Sequence, residues 1–319
     1  MTSAGNSAGR RQHARIVFGA AGTIEIPFEL YDTRGGNTQE FNTCSPKDNT
    51  QKLSLEFYYP TGGATISPSF KPEGVAAFTP GPALGGVPVP GSFSGRTFEL
   101  RHRTDSNGQI GGGTIDRQRF VAEVTHHAID GHLVGTYKVK LTASAPVTVH
   151  VWCSQTAYWH GFKMGAALPA GVTEEDRFLI GAPGGARNIV TVASFNAEVA
   201  GLPASGSSSR GPLARHGVGG GVPPFKPELA APGVSINAAK SRDARPIVVG
   251  QTVPKNGTSM AAPHVTGAVA LMLEKNPNLT SADVISILQG HIRPLLGPED
   301  PLIYGAGRLD AKDAVDNTP

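Results

Sequence analysis

The stretch of this sequence best suited to chemistry is Asn256-Gly-Thr-Ser-Met-Ala-Ala-Pro-His264. Within it, Ser259 stands where a glycine-containing loop gives way to the apolar run Val265-Thr-Gly-Ala-Val-Ala-Leu-Met-Leu273. That junction predicts a helix start, whose first N–H groups lack intrahelical acceptors and whose field favours negative charge. A hydroxyl placed there can attack a carbonyl while its own N–H helps to hold the developing oxyanion. Ala261 and Ala262 are small enough for close backbone approach. Pro263 is expected within the first turn, where its missing N–H leaves no bond unmade. Alone, a serine at a helix start is ordinarily an N-cap, so the surrounding pattern has to carry any catalytic reading.

The string resembles the nucleophile motif G-T-S-M-A-x-P-H of the subtilases, the subtilisin-like serine peptidases of peptidase family S8. The resemblance implies that Ser259 is the nucleophile. Ser207-Ser-Ser-Arg-Gly-Pro212 and Lys226-Pro-Glu-Leu-Ala-Ala-Pro-Gly233 resemble the segment that precedes the serine in that family, and Tyr304-Gly-Ala-Gly-Arg-Leu-Asp-Ala311 is similar to its closing motif. Ser3-Ala-Gly-Asn-Ser7 resembles the family's A-G-N-S/E-G strand end, which implies that the Asn6 side chain donates to the oxyanion. By the same resemblance Ala182, Pro183, Gly184 and Gly185, with Thr258, form part of the substrate pocket, and the glycines imply a roomy one. His264 belongs to the serine motif and is structural in the family. Structural calcium is common there, yet no carboxylate cluster in this sequence assigns a site, and no other cofactor is expected.

Subtilases order their triad Asp, His, Ser, with the first two upstream of the Asn strand. Here the Asn motif opens at Ala4, leaving no room for either. Internal substitutes fail on pattern: Asp32-Thr-Arg-Gly35 ends a half-exposed strand, Asp130-Gly-His132 opens another, and His126 and His127 are strand neighbours that face opposite sides. The expectation is a serine endopeptidase portion acting on protein or peptide substrates. It supplies Ser259 and Asn6 and needs Asp and His from an upstream segment or partner chain. Without a base the serine is nearly inert, since in subtilisin loss of Ser or His alone costs about 2 × 10⁶ in kcat. A second reading is a catalytically inactive subtilase-like pseudo-protease that serves as a protein- or peptide-binding subunit.

The elements that must position these residues fall into three stretches. Residues 1–15 start the subtilase portion, 16–160 read as an all-β jelly-roll or sandwich insertion, and 161–319 form the C-terminal α/β portion carrying Ser259. In the insertion Ile24, Ile26, Phe28 and Leu30 alternate with Glu25, Pro27 and Glu29, the period of a half-buried strand. Similar runs follow at 53–59, 96–102, 118–125, 136–141 and 147–152, with the long stretch Pro60–Pro90 expected as a connection. Some subtilases, among them clostridial germination proteases, resemble this arrangement in carrying a jelly roll between Asn and Ser. Tyr58, Tyr59, Trp152, Tyr158 and Trp159 leave open a glycan-stacking role for the insertion. After it, Asn188–Ser194 reads as a strand buried on both faces. The run after Ser259 is apolar on nearly every side, as a core helix is. Thr280-Ser-Ala-Asp283 resembles a capping box for a second helix facing inward through Val284, Ile287 and Leu288, and Asp310 should cap a last one.

Bulk composition excludes several partners. A net charge of +3 without a dense basic run argues against nucleic acid. No apolar run reaches the about 18 residues of a spanning helix, and the N-terminus lacks the apolar core of a signal peptide. The location stays open on this sequence: a soluble chain is cytoplasmic, or secreted where an upstream half carries the signal. Cys44 and Cys153 can form at most one disulfide and have no metal-binding spacing.

Overall fold

The computed structural model describes residues 1–6, 13–32, 51–110, 113–126, 135–155, 160–164, 168–181, 183–186, 188–212, 226–240, 251–294 and 300–319. The chain divides into two compact units, Met1–Gly9 with Asp176–Pro319, and Arg10–Glu175.

The first unit begins with strand β1 (Thr2–Ser3). The second contains β2 (His13–Phe18), β3 (Gly22–Asp32), β4 (Gln51–Pro60), β5 (Ile66–Pro72), β6 (Thr79–Pro80), β7 (Val89–Phe93), β8 (Arg96–Ile110), β9 (Gly113–His126), β10 (Gly135–Ala143), β11 (Val147–Gln155), β12 (His160–Met164) and β13 (Val172–Glu174). The chain then returns to the first unit with β14 (Thr191–Phe195), β15 (Leu229–Pro232), β16 (Ile236–Ala239), β17 (Thr252–Lys255), α1 (Thr258–Lys275), α2 (Ser281–Gly290), β18 (Ile292–Arg293), α3 (Pro301–Tyr304), β19 (Arg308–Leu309) and α4 (Ala311–Asp316).

In the unit Arg10–Glu175, antiparallel sheets ordered β12-β3-β10-β5-β6 and β13-β2-β11-β4-β9-β8-β7 share one apolar core. Alternation decides which side chains enter it. Leu53, Leu55 and Phe57 of β4 are buried while Ser54, Glu56 and Tyr58 between them are half-buried on the other face. Aromatic rings fill the middle: Phe28 meets Phe57 edge to face with centroids 5.9 Å apart, and Phe70 packs likewise on Phe98 at 5.2 Å. Cys153 is buried in the same core, and Cys44 lies outside the described residues.

The stretch 60–90 differs from its expected role as a connection. It contributes β5, whose Ile66 and Phe70 are buried, and β6 beside it. Prolines hid β5 from a pattern search, because Pro lacks the ladder N–H and is ordinarily confined to edges and strand ends. Here Pro68 and Pro72 are tolerated even though β5 pairs with β10 on one side and β6 on the other, because β6 spans only Thr79–Pro80 and pairs at Ser69 and Phe70.

In the other unit, one mostly parallel sheet runs β1-β14-β15-β19-β18, and β16 pairs with β17 as a separate hairpin. All five residues of β14 are buried, as a strand with neighbours on both sides and layers on both faces requires. Helix α1 packs across β1, β14 and β15 and against α4, burying Ala261, Val265, Ala268 and Met272. Contrary to the expectation of an all-round buried helix, its other side is open: Leu271 is 52% and Leu273 38% exposed. The sequence shows that both faces are apolar; the described residues of this unit cover one.

Just ahead of β15 a buried ion pair fixes the sheet. Lys226 Nζ meets a Glu228 oxygen and donates to the Ile189 carbonyl at 2.6 Å, while the other Glu228 oxygen accepts from Thr191 N–H at 2.7 Å. Burial pushes the Glu228 carboxyl up, and the Lys226 and Thr191 hydrogen bonds pull it back. The C-terminal helices carry the expected caps. Thr280 and Asp283 exchange hydrogen bonds in a capping box, and the Asp310 side chain accepts from Asp313 N–H. Among the described residues no helix is long and apolar enough to cross a membrane.

Two outcomes follow from this packing. Lys226→Ala leaves the Glu228 carboxylate buried without its cation, and urea denaturation should register a loss of about 3–5 kcal/mol. Hydrogen bonds from Thr280 hold Asp283 below its ordinary pKa, and the Arg293 hydrogen bond does the same for Asp310. Both carboxyls thus stabilise the fold above the ordinary Asp value of about 3.9, and the contribution is lost as pH falls through their depressed values. Thermal melts across that acid range should show Asp283→Ala and Asp310→Ala each flattening the decline, with Thr280→Ala costing about 1 kcal/mol at neutral pH.

Candidate functional site

Ser259 is the second residue of α1, exposed, and follows Gly257 at the cap and a fully buried Thr258. Asn6, just past β1, lies directly against this helix start. Its Oδ1 accepts from Thr258 N–H at 3.0 Å and from Thr258 Oγ1 at 3.1 Å, and Thr258 Oγ1 also lies 3.1 Å from Gly5 N–H, whose hydrogen bond it accepts. With Oδ1 occupied twice, the Nδ2 hydrogens are the part of the Asn6 amide left to donate to another group. In the first turn of α1, Gly257 N–H donates to the Gly233 carbonyl, Thr258 N–H to Asn6 and Met260 N–H to the Gly257 carbonyl, so Ser259 N–H is the donor left beside the exposed hydroxyl. An exposed hydroxyl beside amide donors is part of what carbonyl attack with a stabilised oxyanion requires; a base is the other part.

Three glycines make the approach possible, each inside one of the sequence motifs but with no role legible there. Gly257 has φ +136°, and a Cβ there would sit 2.9 Å from Asn6 Nδ2. Gly5 has φ +103°, and a Cβ there would lie 2.9 Å from Ser209 Oγ. A Cβ on Gly233 would collide with Ser194 Oγ at 2.3 Å, because the loop after β15 presses on the loop before α1: Gly257 N–H donates to the Gly233 carbonyl at 2.7 Å. The Asn256 side chain tightens the same junction by accepting from Ser235 N–H at 2.6 Å. Glycine is required at each point by direct steric approach.

Pro263 corrects the sequence reading. It is the sixth residue of α1, beyond the first turn, so its missing N–H does leave a bond unmade. The acceptor position deprived of it, four residues back, is the carbonyl of Ser259. His264 is occupied within the helix, its Nδ1 donating to the Met260 carbonyl at 2.9 Å.

Of the residues expected to line a substrate pocket, Thr258 is at the site as the buried anchor of Asn6. Pro183, Gly184 and Gly185 form a tight turn tied to the Asn6 strand through Gly181, whose N–H donates to the Ala4 carbonyl at 2.9 Å. Gly184 serves packing there, since a Cβ would lie 2.9 Å from both the Gly181 carbonyl and Ile180 Cγ2. Ala182 lies outside the described residues, as do His127, Asp130 and His132, and the segment after Asp32.

Residues 171–307 match the family model described as the Subtilase family. The serine protease AprX of Bacillus subtilis is 32% identical over 159 residues, 46% of this chain and 34% of that protein. Subtilisin E of Bacillus subtilis is 38% identical over 88 residues, 28% of this chain and 20% of that protein. Among solved structures, the CspB protease of Clostridium perfringens superposes with a TM-score of 0.65 over 98% of this chain and 58% of that one, at 15% identity, a likeness of fold. The chain thus spans about a third of AprX and a fifth of subtilisin E.

The clash geometry at Gly257 gives a direct test. Gly257→Ala should destabilise the chain by more than about 1 kcal/mol, because Ala is strained at positive φ and its methyl meets the Asn6 amide. In the Asn6→Ala background the same substitution should cost less, since the colliding atoms are gone. A double-mutant cycle by chemical denaturation reads this coupling.

Proposed function

We propose that this chain, whose residues 171–307 belong to the subtilase family, supplies the nucleophile and the oxyanion amide of a serine endopeptidase. The observation that carries the proposal is the anchoring of Asn6 Oδ1 on Thr258, next to exposed Ser259 at the start of α1. In this reading Ser259 Oγ attacks the peptide carbonyl and its proton passes to an imidazole. The oxyanion accepts hydrogen bonds from Ser259 N–H and Asn6 Nδ2. Collapse expels the amine, which takes that proton from the imidazole, and water then releases the acyl group by the same steps.

The imidazole and the carboxylate that orients it come, in this proposal, from an upstream subtilase segment or a partner chain. Two features support that assignment. Among the described residues β1 is the edge strand of its sheet, where a further parallel neighbour could pair, and the exposed side of α1 carries Leu271 and Leu273. Arg10–Glu175 is read as a jelly-roll insertion between the Asn and Ser segments, its two antiparallel sheets sharing one core. Pro183, Gly184 and Gly185 are assigned to the rim of the peptide-binding cleft.

Fluorophosphonate labelling and peptide hydrolysis test the proposal. With a subtilase segment bearing Asp and His added upstream, Ser259 should label and hydrolysis should appear; Ser259→Ala should abolish both. Asn6→Ala should lower kcat by about 10²–10³, as removal of one such donor does in subtilisin. Absence of labelling beside that segment would make the chain a non-catalytic member of the fold.

A further inference from the structure

The unit Arg10–Glu175 holds a cluster that the peptidase chemistry does not use. His13 opens β2, His150 lies on the neighbouring β11, and Glu175 directly follows β13, the edge strand beside β2. The register pairs His13 with Trp152 and His150 with Arg15, so both imidazoles stand on the sheet face opposite the core. A ring nitrogen of each histidine and a Glu175 oxygen lie within 4.8 Å of one another, and this is the group of metal-ligating type among the described residues.

We propose that His13, His150 and Glu175 bind one divalent cation of the Zn²⁺ class, which clamps β11, β2 and the end of β13 together. The donor set, two imidazoles and a carboxylate with a fourth position open, is one that Zn²⁺ takes. His13 Nε2 and His150 Nδ1 face each other at 3.0 Å, with the two rings 6° from parallel. Ligands about 2.0–2.1 Å from a tetrahedral Zn²⁺ stand about 3.3 Å apart, so the pair needs to open by only a few tenths of an ångström. Metal entry replaces their mutual hydrogen bond, and the proton between them moves to the other nitrogen of the donor ring. Glu175 has further to move. Its Oε2 is 3.9 Å from His13 Nδ1, the ring nitrogen that does not face His150, and its carboxylate is partly exposed behind a short edge strand.

His13 is fully buried, and Trp152 stacks on His13 with centroids 4.6 Å apart and on His150 at 5.7 Å. Arg15 Nε donates to Glu175 Oε1 at 2.8 Å, which leaves Oε2 as the ligand atom and orients it, as outer-shell partners of metal sites do.

The test uses the full chain, stripped with a chelator and titrated with Zn²⁺ by calorimetry, then with Co²⁺ by visible absorption. One Zn²⁺ per chain, a raised Tm, and the intense absorption of four-coordinate Co²⁺ are expected. His150→Ala and Glu175→Gln, each checked for an unchanged far-UV circular dichroism spectrum, should weaken Zn²⁺ binding by more than the about 10–100-fold that loss of an outer-shell partner costs. No Zn²⁺ binding by the unsubstituted chain, or affinity retained in both variants, would overturn the proposal.

Discussion

One carboxamide closes the first unit. Asn6 Oδ1 takes two hydrogen bonds from Thr258, a residue 252 positions away, and Gly5 N–H returns one to the Thr258 hydroxyl. Nothing local to either segment fixes its position so well: β1 contributes two residues to the sheet, and the cap residue Gly257 has no side chain with which to close the helix start. The same closure explains how a large unit can stand between the two segments. Ala4 and Gly181 are joined by a backbone hydrogen bond, so the chain leaves and re-enters the first unit at neighbouring points. Loop-closure entropy rises by only about 0.6 kcal/mol for each doubling of loop length. Once the ends are pinned, the length inserted between them matters little to the site.

What was legible in the sequence was whatever local chemistry enforces. The strand around Val192, the capping box at Thr280 and the Asp310 cap all appear where pattern placed them, because each depends on residues within a few positions of one another. The juxtaposition of Asn6 with the start of α1 was reached through motif resemblance; spacing alone carries no information about a contact spanning most of the chain. The roles of Gly5, Gly233 and Gly257 were hidden for a related reason. A glycine required by close approach is identical in sequence to one required by a turn, and only the position of the opposing atom separates them.

Helix α1 shows the limit of reading burial from composition. Its apolar residues surround the axis, which in a helix of a globular core means cover on every side. In this chain Val265, Ala268 and Met272 are covered by β14, β15 and α4, while Leu271 and Leu273 face outward. Hydropathy reports which surfaces favour leaving water, not which neighbours are at hand to cover them. An apolar side this prominent beside an edge strand is costly to leave in solvent, and the two features lie in the same unit as the candidate nucleophile.

The β unit makes the complementary point about alternation. Burying every second residue of β2, β4 and β11 builds the core, and the same pleat necessarily gathers the intervening residues on the opposite face. There Tyr58 donates to Glu56 at 2.7 Å, Arg119 reaches the same carboxylate at 2.8 Å, and Tyr58 packs edge-on against Trp152. His13 and His150 join that face from strands 137 positions apart. The sequence shows two unrelated histidines and a tryptophan that invites a glycan-stacking role. Register turns them into a cluster in which Trp152 stacks on both imidazoles. Core alternation is legible strand by strand, whereas the chemistry of the outward face exists only after the strands have found their order. A face assembled this way can acquire a binding site without altering a single core residue, because the two sets of side chains never share a position.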